Sequence, residues 1–377
     1  LTTLRSTSNS GERNDIAWAL ARISPDLVPD DAPPWVLGRV KKTTAVDKLI
    51  QAVSGQATAR KIWAITALGD IGDARGENAI VNVLASKVGF IWLLLHYGLL
   101  NGTDHFHDRA LDGLGFDGAW VEALAASEAA GTLGAKSAIP HLRRLAKMEG
   151  CPDSRQNWIV QLYAARALAV LKDDDPTALE VALEGFKFKR YWVILPDGWV
   201  MMKNAEDQES LPAEGASWRH LGTPNIHTML AADTLGKIGG PVAKKVLKKR
   251  LELMLKAHAR ARDEYYCIDM LWIGAALKEL GEEEDALRAL RAGQSVMAAV
   301  PLDVAMRSLR LAGVHAIGRI GQMSSLPLIE EIMLHDGISY DPPKYGIREA
   351  ARDAWERLKG IRPTDDPHRS FDLIGVF

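Results

Sequence analysis

The sequence predicts an all-α protein, an α-solenoid of about six to seven helix pairs with two insertions, one of them a β-hairpin. Three observations support this class. A two-helix unit recurs along the chain, small residues recur on the first helix of each unit, and proline recurs near the start of the second. One such unit cannot bury its apolar face alone, whereas stacked copies can. An irregular helical bundle is the alternative.

The recurring unit is an apolar helix, a short turn and a second helix. Residues 59–86, "ARKIWAITALGDIGDARGENAIVNVLAS", show it clearly, and further copies begin near residues 120, 160, 227, 269 and 307. A half copy starts at residue 346. Spacings of 35, 42 and 40 residues between neighbouring anchors match two-helix repeats, and spacings of 65 and 67 each predict an insertion. The anchors are Leu68, Leu133, Leu168, Leu235, Leu277 and Ile317.

Local signals agree with this plan. Small side chains allow paired helices to approach closely, and the glycine directly after an anchor is expected to end the first helix. The small residues are Ala67, Ala130, Ala167 and Ala232. Proline near the start of a helix costs little, because the N–H that it lacks has no partner there. The prolines are Pro140, Pro176, Pro241 and Pro327.

The pattern resembles HEAT-like repeats, particularly the short bacterial kind that also occurs in phycobilin lyase subunits, from about residue 59 to residue 359. The resemblance implies a solenoid fold and says little about activity. The function we expect is a non-catalytic protein-interaction scaffold or accessory subunit. The alternative is an enzyme, or an enzyme's accessory subunit, acting on a prosthetic group or on nucleic acid.

The predicted organisation has three parts. Residues 1–56 form an N-terminal extension with capping helices, residues 57–360 form the solenoid, and residues 361–377 form a C-terminal tail. Insertions are expected at about 87–119 and 187–224. The first contains "VGFIWLLLHYGLL", which is too short to span a bilayer and is expected to be a buried helix. The second contains "YWVILPDGWVMM", whose Pro-Asp-Gly turn predicts a β-hairpin.

Composition excludes some classes of protein. A formal net charge of −2 gives no overall attraction to nucleic acid or to an anionic membrane. Cys151 and Cys267 are the only cysteines, which excludes a disulfide framework and a CxxC zinc site but leaves one disulfide open. We expect a cytoplasmic location, although a removed signal peptide is also compatible with the sequence.

Two candidates for chemistry lie in the first insertion. Asp104, His105, His107 and Asp108 offer mixed nitrogen and oxygen donors suited to zinc, iron or manganese. The alternative is a helix start with Asp104 as its N-cap, and the prediction is therefore no cofactor, with a transition metal as the alternative. The glycines at 113, 115 and 118 match a dinucleotide fingerprint but do not follow a strand.

The chain contains no GxSxG, HExxH or P-loop motif. It also lacks any His-Glu dipeptide, the pair used by the HEAT-like di-iron enzyme deoxyhypusine hydroxylase. These observations favour a binding protein over an enzyme.

Two groups of residues are the predicted partner-binding surface. The first is a cationic stripe on one second helix: Lys244, Lys245, Lys248 and Lys249. Second helices are expected to line the concave face. The other group lies in the second insertion: Trp192, Trp199 and Trp218 beside Lys187, Lys189 and Arg190. A protein partner is expected, nucleic acid is the less favoured alternative, and a solvated helix face or a core-covering flap are the structural alternatives.

Overall fold

The computed structural model describes residues 16–55 apart from 18 and 22, and residues 58–96, 118–148, 158–187, 191–195, 198–202, 217–218, 226–261, 264–297, 307–335 and 347–361. These residues are mainly helical, and from residue 34 onwards they form seven helix pairs followed by one further helix. The predicted helical-repeat organisation is therefore confirmed.

The helices fall into two rows. The first helices of the pairs form the first row: α1 (Pro34–Arg39), α3 (Thr58–Ile71), α5 (Gly118–Leu133), α7 (Trp158–Val170), α9 (Ile226–Ile238), α11 (Glu264–Glu279) and α13 (Arg307–Ile320), with α15 (Ile347–Leu358) at the end. The second helices form the second row: α2 (Val46–Val53), α4 (Glu77–His96), α6 (Ile139–Lys147), α8 (Thr177–Lys187), α10 (Gly240–Ala261), α12 (Glu283–Met297) and α14 (Leu326–His335).

Packing follows the order of the chain. Each first-row helix packs on the next one, and each second-row helix packs on the first-row helix of the following pair. The core between the rows is apolar, with anchors such as Leu168, Leu235 and Leu277 completely buried. The four prolines lie at or next to the first residues of α6, α8, α10 and α14, as predicted. A helix pair is stable here only because its neighbours cover it.

The ends of the first-row helices differ from the prediction. Gly69 lies inside α3, and the left-handed residue that ends this helix is Gly72, four residues after the anchor Leu68. The same offset recurs in the following pairs, where the residues with positive φ are Gly134, Lys172, Gly239, Gly281 and Gly321. A left-handed residue just after a helix satisfies its last carbonyl groups, and glycine adopts it without strain.

This offset also corrects one anchor. Because Gly134 is the left-handed residue of α5, the residue equivalent to Leu168 is Ala130 rather than Leu133. Leu133-Gly134 matches the pattern of an anchor followed by glycine, but these two residues lie at the end of α5. The glycines that do follow anchors have a different role, since they let helices of the first row approach each other.

Gly69 shows this role most clearly. A methyl group added there would lie 2.7 Å from Cα of Ala129 on α5, a contact that rotating a side chain cannot relieve. We expect Gly69→Ala to lower the free energy of unfolding by about 1–3 kcal/mol, measured by chemical denaturation. Gly76→Ala is the matched control, because the nearest atoms to its methyl group are side-chain atoms of Leu68, at 3.3 Å or more, rather than backbone. Equal stability losses in both variants would contradict close helix approach as the cause.

Arg39 on α1 binds Asp353 on α15 through two hydrogen bonds, of 2.6 and 3.3 Å, although 314 residues separate them. Asp353 is buried. A side-chain contact between the first and last helices of the row requires that the array curve back on itself. We call this contact the closing ion pair.

The direction of curvature is opposite to the prediction. Arg319 on α13 binds Asp233 on α9, so the two side chains meet past the intervening helix α11. Helices two places apart come this close only on the inner side of a curved row. The first row therefore lines the concave side, and the second row, which was predicted to line it, lies on the convex side.

The two predicted insertions differ in what the structure describes. Helix α4 continues to His96, well past the predicted start of the first insertion, and residues 97–117 lie outside the described part of the chain. In the second insertion, β1 (Tyr191–Leu195) and β2 (Gly198–Met202) are antiparallel, and β3 (Ser217–Trp218) pairs with β1 on its other side. Among the described helices, none is long and apolar enough to cross a membrane.

Candidate functional site

Charged residues connect the first-row helices on the concave side. Asp233 on α9 is fully buried and binds two guanidinium groups, those of Arg166 on α7 and Arg319 on α13. Arg319 also binds Glu279 on α11, which accepts a 2.9 Å hydrogen bond from Lys237. We call these residues, together with Glu128 at 3.7 Å from Arg166, the charge network.

Every member of the charge network with a shifted pKa is held in its charged form. Burial alone would raise the pKa of Asp233, but the positive charges of Arg319 and Arg166 outweigh burial and hold that pKa far below its usual value. Burial alone would lower the pKa of Arg319, and Asp233 and Glu279 outweigh it in the same way. A general acid or base needs a pKa near the working pH, so these ions are suited to holding helices together.

The predicted metal ligands Asp104, His105, His107 and Asp108 lie outside the described residues, as do the glycines at 113 and 115. Within the described ranges, no group of three or more His, Cys, Asp or Glu side chains could hold a metal ion. The metal site at 104–108 stays a prediction.

The cationic stripe on α10 divides into two columns. Lys244 and Lys248 face the start of α12. Both bind Glu282, the residue before this helix, at 2.6 and 2.5 Å, and Lys248 also binds Asp285 on α12 at 3.1 Å. Hydrogen bonds to Glu282 and Asp285 raise the pKa of Lys248. This column therefore joins two second-row helices.

The other column faces solvent. Lys245 and Lys249 are exposed, and so is Lys256 further along the same helix. In the part of the chain that the structure describes, none of these three forms an ion pair. The exposed residues Val242, Lys245, Lys249 and Lys256 are spaced by three, four and seven, which places them on one face of α10. We call this face the outer lysine face.

The structure places the start of the second insertion next to this helix. Phe186, one residue before the end of α8, lies beneath the guanidinium of Arg250 on α10, with 6.0 Å from Cζ to the ring centroid. Arg250 is buried and directly follows Lys249 in sequence. The chain therefore enters the second insertion beside α10, and the contact between the insertion and the lysines of α10 stays a prediction.

The residues predicted within the insertion are placed only in part. Lys187 is the last residue of α8, and Lys189 and Arg190 lie outside the described residues. In the sheet, Trp192 pairs with Met201, Trp199 pairs with Ile194, and Trp218 pairs with Val193. The predicted surface did not include Arg250. The sequence signal available for the charge network was the presence of single charged residues, such as Arg166 and Asp233, on otherwise apolar helices.

Comparison with solved structures finds chains of similar fold. The chain is similar to a chain in the complex of CpcE and CpcF of phycocyanin lyase from Nostoc sp. PCC7120, with 16% identity over 83% of this chain and 94% of that one, and a TM-score of 0.40. No family model matches the sequence, and no curated protein matches it.

Proposed function

We propose that this protein is a non-catalytic scaffold or accessory subunit that binds a protein partner on its convex side. The binding surface consists of the outer lysine face of α10 and the second insertion. The contact between Phe186 and Arg250 carries the proposal, because it sets the end of α8, where the second insertion begins, beside α10. Exposed lysines on α10, together with the tryptophans of the second insertion, would combine charge with apolar area, as interface anchors do.

The charge network supports the convex side as the binding surface. Its buried ions connect α7, α9, α11 and α13 across the concave side. Separating such ions to admit a partner would leave charges buried without compensation. The convex side holds exposed side chains that a partner can reach without breaking the array.

Replacing residues 188–225 by a short Gly/Ser linker tests the proposal. The helices bury their core against one another, and the described strands pair mainly among themselves. We therefore expect nearly unchanged helical circular dichroism and melting temperature, together with loss of the protein that co-purifies stoichiometrically with the wild-type chain from its native source. Arg144→Glu, an exposed change on α6, is the control and should keep the partner.

Three results would contradict this prediction. A wild-type chain that purifies without any stoichiometric partner would contradict the scaffold function. Retention of the partner by the linker variant would contradict the insertion as a contact surface. A melting temperature that falls sharply would show that the insertion covers the core, which is the flap alternative.

The accessory subunit of an enzyme that acts on a prosthetic group is the more specific form of this proposal. Its support is the resemblance to HEAT-like lyase subunits seen in the sequence. It requires the co-purified partner either to carry a prosthetic group or to transfer one. Absorbance spectra of the complex distinguish this form from a scaffold that binds a colourless protein.

A further inference from the structure

We infer that the outer lysine face of α10 binds an acidic helical segment of the partner protein, through carboxylates spaced three or four residues apart. This inference rests on the proposed function and specifies the chemistry of the partner. It follows from a comparison of the two lysine columns on the same helix.

The inner column shows what such lysines bind. Lys244 and Lys248, four residues apart, bind Glu282 and Asp285, which are three residues apart at the start of α12. Lys245 and Lys249 have the same four-residue spacing, one position further round the helix. The outer column therefore has the same spacing as the column that binds the acidic start of α12. The carboxylates that bind the outer column are supplied from outside the described residues.

Three features favour discrete carboxylates over a continuous polyanion. Glu252 lies between Lys249 and Lys256, is about half exposed and binds Arg288, so the positive row is interrupted by a negative charge. The net charge of −2 gives no long-range attraction to nucleic acid. Val242, 49% exposed at the start of the same face, adds apolar area that a folded segment can cover and a phosphate backbone cannot.

The test uses the full chain and a synthetic, fluorescently labelled helical peptide with Glu and Asp at i and i+3, repeated once. Fluorescence anisotropy should show salt-dependent binding to the wild-type chain. Reversing both charges, Lys245→Glu with Lys249→Glu, should weaken binding about tenfold or more. The conservative pair Lys245→Arg with Lys249→Arg should bind within about twofold of wild type, because charge and reach are kept.

The control pair is Lys48→Glu with Arg144→Glu. Both residues are exposed on other second-row helices, and the change in net charge is the same, so binding should be unchanged. Loss of binding in this pair would show a general charge effect and overturn the inference. A wild-type chain that does not bind the peptide would also overturn it.

Two further experiments distinguish the acidic segment from other ligands, and failure of this inference from failure of the proposed function. Duplex DNA or anionic vesicles that bind more tightly than the peptide, and lose binding with the same Lys245/Lys249 reversal, would overturn the assignment to an acidic protein segment. If the native partner stays bound to the Lys245/Lys249 reversal but is lost on replacing residues 188–225, the scaffold function stands and this inference fails. Loss of the partner in both variants supports the two together.

Discussion

Replacing Asp233 with alanine is expected to lower the free energy of unfolding by about 3–5 kcal/mol or more, because it leaves two buried guanidinium groups facing each other without their shared carboxylate. Arg166 and Arg319 are almost fully buried and both bind Asp233. The loss should appear in chemical denaturation and as a lower melting temperature. Asp47→Ala is the matched control, since Asp47 is 79% exposed and binds Arg75 in solvent, and it should cost less than about 0.5 kcal/mol.

The stability difference between wild type and Asp233→Ala should depend on pH in one direction. The pKa of Asp233 is lowered in the folded state, so its contribution is fully present above the ordinary aspartate pKa of about 3.9. The contribution is lost only as the pH falls below that value towards the lower folded pKa. Denaturation between pH 7 and pH 5 should therefore show a constant difference, and a difference that shrinks already in this range would contradict a carboxylate held ionised by its arginines.

Replacing Trp272 with alanine is expected to cost about 3–5 kcal/mol. Trp272 on α11 is 1% exposed, and its Nε1–H donates a 3.1 Å hydrogen bond to the carbonyl oxygen of Ala312 on α13. Its ring also lies 5.2 Å from the guanidinium carbon of Arg319, which passes over it on the way to Asp233. The substitution removes core volume and the surface that supports one arginine of the charge network.

Trp272→Phe is the control for the ring itself. It keeps an aromatic face below Arg319 and removes the N–H, so we expect it to lose about 1–2 kcal/mol. Denaturation curves for both variants, each alone and combined with Arg319→Met, give the coupling between the ring and the guanidinium. Purely additive effects in this cycle would contradict support of Arg319 by the ring.

The two-row fold was predictable because its signals are local. Leucine anchors, small neighbours and prolines repeat at a helix-pair period, and each acts within one unit or on the next. The errors also have a local cause. Leu133-Gly134 carries the same letters as Leu68-Gly69, yet one glycine ends a helix and the other lets two helices touch. The same Leu-Gly dipeptide therefore has two physical roles. They are distinguished only by the distance in sequence from the leucine to the left-handed residue that ends the helix.

The candidate site was less predictable because its contacts join distant residues. Nothing near Arg166 in the sequence indicates a partner 67 residues away. The two columns of lysines on α10 also look equivalent in the sequence, and only the structure shows that one of them binds acidic residues at the start of α12. The assignment of the concave side failed for a related reason. The concave side is the side on which residues of two helices come into contact past the helix between them. Such contacts exist only in the assembled array.

The closing ion pair has a consequence for how this chain can evolve. An open helical-repeat array can gain or lose a pair at either end, because each pair touches only its neighbours. Here the contact between Arg39 and Asp353 depends on how many pairs lie between them, so duplicating a pair would move the two side chains apart. The closing ion pair thus ties the number of pairs to the curvature of the array. Insertions in the connections between helices, by contrast, lengthen the chain and leave the number of pairs between Arg39 and Asp353 unchanged.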